Sequence, residues 1–196
     1  MPKSVTVFCG SSLGTSNVYK NTARELGEQI AKLGLRLVYG GAHVGLMGVM
    51  ADTALSCGAE VIGVMPRQLY DREIGHTGLT ELLIVGSMHE RKFKMAELGD
   101  IYLAMPGGFG TLDEFFEIVT WSQIGLHTKA CVLLNANGFY NDLITWIDHA
   151  TAQGFIKREH RDMIIIGDDA EAVLRRAIDY EHRVQPKWSA EAAVES

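Results

Sequence analysis

Short apolar runs alternate with longer stretches of helical period along nearly the whole chain. Residues 4–9, 35–39, 60–65, 82–85, 101–105, 130–134 and 163–166 carry apolar side chains on both faces and read as strands. Between and after them, residues 18–33, 45–57, 88–98, 112–124, 139–153 and 170–180 repeat with a helical period. In the first of these, Ala23, Leu26, Ile30 and Leu33 share one face and Gly34 supplies the stop. Gly58 does the same for the second helix, and Pro66 ends the third strand. Strands buried on both faces and alternating with helices predict an α/β, doubly wound parallel sheet with helices on both faces. Residues 67–81, with Gly75 and Gly78, have weak periodicity and read as the longest loop, a candidate lid or binding loop. Residues 1–185 form the expected single domain, and 186–196 read as a loose C-terminal tail.

Composition narrows the partners. With 196 residues, 47% of them hydrophobic, the chain is long enough for one domain with a sizeable core. A net charge of -6 gives no sequence-wide attraction to nucleic acid or to an anionic membrane, so neither is expected as a partner and any phosphate must be held by local geometry. The start of the chain lacks the pattern of a signal peptide and no run approaches a membrane span, which predicts a cytoplasmic protein. Cys9, Cys57 and Cys131 are few, scattered and set among apolar residues, a pattern of core filling rather than of disulfides or metal binding. The seven histidines show no paired ligand spacing, so no metal site is expected.

In a doubly wound sheet, ligands bind outside the carboxyl ends of the strands. Three glycine clusters fall there: "FCGSSLG" from Phe8, "YGGAHVGLMG" from Tyr39 and "PGGFGT" from Pro106. Of these, only the third reads as leading straight into a helix start, where free N–H groups and the helix dipole suit an anion. No G-x-x-x-x-G-K-[ST] is present, which argues against a P-loop triphosphate site, and no G-x-G-x-x-G follows the first strand, which argues against a dinucleotide.

Acidic residues follow the third cluster at once. With Thr111 as N-cap, Glu114 stands at N3 and completes a T-x-x-E capping box. Leu112, Phe115, Phe116 and Val119 form the expected buried stripe, leaving Asp113, Glu114, Glu117 and Thr120 towards the other side. A carboxylate about one ribose length from a bound phosphate suits a different task, cleavage of the N-glycosidic bond of a nucleoside monophosphate through an oxocarbenium-like transition state. Both readings of Glu114 stand on spacing alone. In "SMHERKFKM", Arg91 and Lys92 are either nucleotide contacts or a solvated helix face, and His89 reads as a packing residue.

"PGGFGTLDE" and "MHERK", with "VFCGSS", "YGGAHVGLMGVMAD" and "VIGVMP", closely resemble the Lonely Guy family of cytokinin-activating phosphoribohydrolases. The resemblance runs by motif from Val5 to Asn135 and by pattern beyond. It implies a Rossmann-like fold and hydrolysis of cytokinin riboside 5'-monophosphates, of AMP, or of both, to free base and ribose 5-phosphate, with no cofactor and no metal. It assigns catalysis to Arg91 and Glu114, and substrate contacts to Glu73, Arg91, Lys92, Gly107, Gly108, Phe109, Gly110, Thr111 and Thr120. It further implies a homodimer. Family members are often labelled lysine decarboxylase-like, yet that chemistry needs a Schiff-base lysine, and none of the clusters is built around one. Ala42 and His43 depart from the family's glycine loop and bear on base preference. A non-catalytic nucleotide or cofactor carrier of similar fold, and a ribosyl transferase, are the alternatives.

Overall fold

The computed structural model describes residues 3–72 and 74–182. Glu73 and the expected tail, 186–196, lie outside the described residues. Seven strands form a single parallel sheet in the order β4-β3-β2-β1-β5-β6-β7. They are β1 (Ser4–Phe8), β2 (Arg36–Tyr39), β3 (Val61–Pro66), β4 (Glu81–Val85), β5 (Ile101–Ala104), β6 (Ala130–Leu134) and β7 (Ile164–Gly167). The chain winds outward from β1 to β4, then returns to place β5 on the other side of β1. Loops leaving β1 and β5 therefore diverge, and a crevice opens between them at the carboxyl edge. This is the doubly wound architecture that the apolar pattern predicts and the Rossmann-like fold that the family resemblance implies.

Helices cover both faces: α1 (Asn17–Lys32), α2 (Gly45–Ser56), α3 (Arg67–Tyr70), α4 (Met88–Leu98), α5 (Phe109–Gln123), α6 (Asn141–Ala152), α7 (Arg158–Asp162) and α8 (Ala170–Ile178). One apolar layer joins α1, α2 and α8 to the sheet through Leu26, Ile30, Met50 and Leu174. The other packs Met95, Phe115, Ile118 and Ile147 from α4, α5 and α6 against Val38, Val64 and Leu133. The central strands, buried on both faces, explain why their sequences read as continuous apolar runs. No helix among the described residues is long and apolar enough to cross a membrane.

Three local readings need correction. The stretch 67–81 is not all loop, because α3 occupies its start and Glu81 opens β4. Helix α6 begins at Asn141 rather than at 139, since a 3-10 turn at Ala136–Gly138, with Asn137 at φ 52°, intervenes. The third glycine cluster is not alone in opening directly into a helix, because Gly45 of the second is the first residue of α2.

Candidate active site

Helix α5 starts three residues earlier than its capping-box reading requires. Its N-cap is Gly108, no side chain caps it, and Thr111 is its third residue. Thr111-x-x-Glu114 is thus no capping box, and Glu114 lies a turn and a half inside the helix. A real S-x-x-E device occurs instead at the start of α4, where the Ser87 hydroxyl accepts the Glu90 amide at 3.1 Å and the Glu90 carboxylate accepts the Gly86 amide at 2.7 Å. That device fixes the first turn of α4 and with it the position of Arg91.

Glu114 also departs from its expected place on the outward face. It is 9% exposed and shares the buried face of α5 with Thr111, Phe115 and Ile118. Its partner is Arg91, whose Nη1 donates to Oε1 at 2.5 Å. The guanidinium is further held by Nε donating to the Val64 carbonyl at 3.1 Å and Nη1 donating to the Met88 sulfur at 3.5 Å. Beneath it lies Gly40, where any Cβ would collide with the guanidinium. Burial pushes the Glu114 carboxyl above its ordinary range, while the charge and hydrogen bond of Arg91 pull it back.

The pair forms one wall of a cavity of about 270 Å³ whose other wall is Gly108, Phe109, Gly110 and Thr111, the uncapped start of α5. An acidic and a basic group thus face a helix N-terminus that can receive an anion. Cys9 also lines the cavity, and burial holds its thiol far above the ordinary range, so it acts as a neutral lining rather than a nucleophile. Three loops are tied together behind the site. The Gly10 amide donates to the Pro106 carbonyl and the Leu46 amide donates to the Gly10 carbonyl, each at 3.1 Å. A second hollow of about 300 Å³ adjoins the first through Gly10, Ser11 and Gly108 and is walled by Tyr19, Leu46 and Phe139. It carries no ionisable pair among its lining residues, whereas the first carries Arg91 and Glu114.

Not every expected contact reaches this cavity. Gly107 lies under Thr111, where a Cβ would collide with the threonine hydroxyl, and so shapes the loop rather than the cavity surface. Lys92 turns to α5 and pairs with Asp113 at 3.1 Å and Glu117 at 3.0 Å. Those two acids raise its pKa against burial, which acts the other way and is the largest single effect. Thr120 is exposed on the outer face of α5, in a shallow hollow shared with Phe116 and Trp121. Glu73 lies outside the described residues. What sequence reasoning missed is the floor: Gly40 under Arg91 and the Val64 carbonyl beside it, signalled only by a glycine at the end of β2. Among the described residues, no group of three or more His, Cys, Asp or Glu side chains is placed to hold a metal ion.

The family model described as "Possible lysine decarboxylase" matches residues 47–177. A cytokinin riboside 5'-monophosphate phosphoribohydrolase of Rhodococcoides fascians is 51% identical over 174 residues, 88% of either chain. One from Arabidopsis thaliana is 42% identical, covering 91% of this chain and 84% of that one. A probable one from Oryza sativa subsp. japonica is 43% identical, covering 90% and 79%. Among solved structures, the molybdenum cofactor carrier protein of Chlamydomonas reinhardtii superposes with a TM-score of 0.70 at 20% identity, over 92% of this chain and 99% of that one. The molybdenum cofactor binding protein of Rippkaea orientalis gives 0.68 at 19%, over 89% and 94%. At such identity those two structures speak to the fold alone, whereas the sequence relatives extend through α4 and α5 and the residues of the site. The chain belongs to the Lonely Guy family, the family of these phosphoribohydrolases.

Proposed function

We propose that the protein hydrolyses the N-glycosidic bond of nucleoside 5'-monophosphates, cytokinin riboside 5'-monophosphates or AMP, releasing free base and ribose 5-phosphate. The observation that carries this reading is the buried Arg91–Glu114 pair facing the uncapped start of α5 across one small cavity. The 5'-phosphate sits at the N–H groups of Gly108 to Thr111, where the helix dipole favours negative charge. One ribose length away, Glu114 accepts from the sugar hydroxyls and stabilises the positive charge that grows as the bond from C1' to the base nitrogen lengthens. Arg91 orients the nucleotide and keeps Glu114 in place. Water supplies hydroxide to C1' and a proton to the departing base, so the reaction consumes one water and needs no redox partner.

The decarboxylase description does not suit these residues. Pyridoxal phosphate chemistry requires a lysine in the cavity to form a Schiff base. No lysine is among the described residues that wall this one, and Lys92, the nearest in sequence to Arg91, is paired with two acids. A carrier role remains a distinct reading with a distinct outcome. The test is to incubate the purified protein with AMP and with isopentenyladenosine monophosphate and separate free base from nucleotide. Base release supports hydrolysis and ranks the substrates, binding without release supports a carrier, and release only with a second base present supports a transferase.

The exposed aromatic residues Phe93, Trp146 and Phe155 support a homodimer, since large apolar side chains at 63%, 56% and 81% exposure favour cover by another chain. Light scattering on the purified protein reads its mass directly.

A further inference from the structure

The second glycine cluster is tied down from outside the cavity by the segment 74–78. The His43 amide donates to the Ile74 carbonyl at 3.1 Å, Ala42 and Gly75 form an antiparallel bridge, and the His76 amide donates to the Gly41 carbonyl at 2.9 Å. Gly41 stands at φ +78°, a conformation glycine alone adopts readily, and Gly40 beside it is the floor under the Arg91 guanidinium.

The side chain of His76 anchors this segment in turn. Its Nδ1 accepts the Gly78 amide at 3.1 Å, so that nitrogen carries no proton. The proton is therefore on Nε2, which donates to Asp52 Oδ1 on α2 at 2.9 Å. The imidazole is 11% exposed although its partner is largely open to solvent. One residue thus holds α2 with its ring and the glycine loop with its backbone.

We propose that His76 is a positioning residue: its ring, fixed as the Nε2–H tautomer between Asp52 and the Gly78 amide, locks the Gly40–Gly41 floor on which Arg91 rests. This rests on the role given to Arg91 in the proposed hydrolysis. His76 does not line the cavity and touches no substrate, so it acts through the loop.

The ring geometry supplies a selective test. Glutamine places an N–H where Nε2 stands and keeps the bond to Asp52, whereas asparagine mimics Nδ1 and keeps only the bond to Gly78. Base release from AMP is measured for His76→Gln, His76→Asn, His76→Ala and Asp52→Ala. Glutamine is expected to retain wild-type kcat. Asparagine, alanine and Asp52→Ala each lose about fivefold, the scale of one hydrogen bond, with KM less affected. The double variant of His76→Ala with Asp52→Ala is no worse than either alone, because both break one link.

Amide hydrogen exchange reads the same link without turnover. Protection of the His43 amide falls in the alanine and asparagine variants and persists in the glutamine variant. A wild-type protein that releases no base overturns the proposed hydrolysis and leaves the exchange measurement to decide on His76. Unchanged exchange and unchanged kcat in His76→Ala, or rescue by asparagine and not by glutamine, overturn the role of His76.

Discussion

Arg91 and Glu114, on different helices with β5 between them, meet at 2.5 Å with side chains only 12% and 10% exposed. Desolvating two charges costs about as much as their attraction returns, so such a pair adds little to stability by itself. Its place on a cavity wall is what the proposed hydrolysis uses.

Replacing Glu114 with Gln keeps the shape and an acceptor for Arg91 but removes the charge that stabilises the oxocarbenium. Base release should fall by about 100-fold or more while AMP binding is largely retained. Single-turnover assays with calorimetric binding separate the two, and full activity in Glu114→Gln would refute the assignment. Arg91→Ala should lose binding and turnover together and also destabilise the fold by about 3 kcal/mol, since it leaves Glu114 buried and unpaired.

Acidity follows from the same burial. Glu114 ionises less readily in the folded chain than in the unfolded one, because burial outweighs Arg91. Its contribution to stability is therefore full below the ordinary carboxylate range and is lost as pH rises through the higher folded value. Activity should move oppositely, rising with pH on a limb above the ordinary carboxylate range. The charge of Asp113 raises the Glu114 carboxyl and that of Lys92 lowers it. Asp113→Asn should shift the limb of kcat/KM to lower pH and Lys92→Met to higher pH. No movement in either variant would separate the limb from Glu114.

Glycines around the site should divide by what a methyl group would meet. At Gly108 and Gly110 it would meet nothing within 4 Å beyond the adjoining backbone. Alanine there should fold with an unchanged melting temperature but raise KM for AMP about tenfold, since the methyl group occupies the approach of the phosphate to the helix start. At Gly107 it would collide with Thr111 and crowd the Gly10 amide, and at Gly40 with Arg91. Gly107→Ala should lower the melting temperature, whereas Gly40→Ala should lower kcat more than stability. Thermal melts with steady-state kinetics on the four variants test the division.

Much of this was legible in the residues, and the failures share a cause. Strands β1, β5 and β6 are buried on both faces, so their identity shows in any short window, and the alternation with helices carries the topology class. Arg91 and Glu114 were legible as charged residues after strand ends. Their contact was not, because it joins two helices separated by β5, and no local window shows which faces of them meet. Taking Leu112, Phe115, Phe116 and Val119 as the buried stripe turned Glu114 outward, whereas the buried face of α5 carries Thr111, Glu114, Phe115 and Ile118. Thr120 and Lys92 matched motif positions, but a motif records the kind of residue and not which wall it reaches. Lys92 is held away by Asp113 and Glu117, which the sequence placed on the side of α5 away from its buried stripe without showing what they pair with.

The bonds that run from Pro106 to Gly10 and from Gly10 to Leu46 tie the loops after β1 and β5 to the start of α2. The conformational entropy of these glycines is lost when the chain folds, not when a nucleotide arrives. In the proposed reaction, affinity is therefore not reduced by loop ordering, and the phosphate would meet amides that already point at it. Gly10, which lines the cavity, is thus also the residue through which the three chain segments behind it are joined.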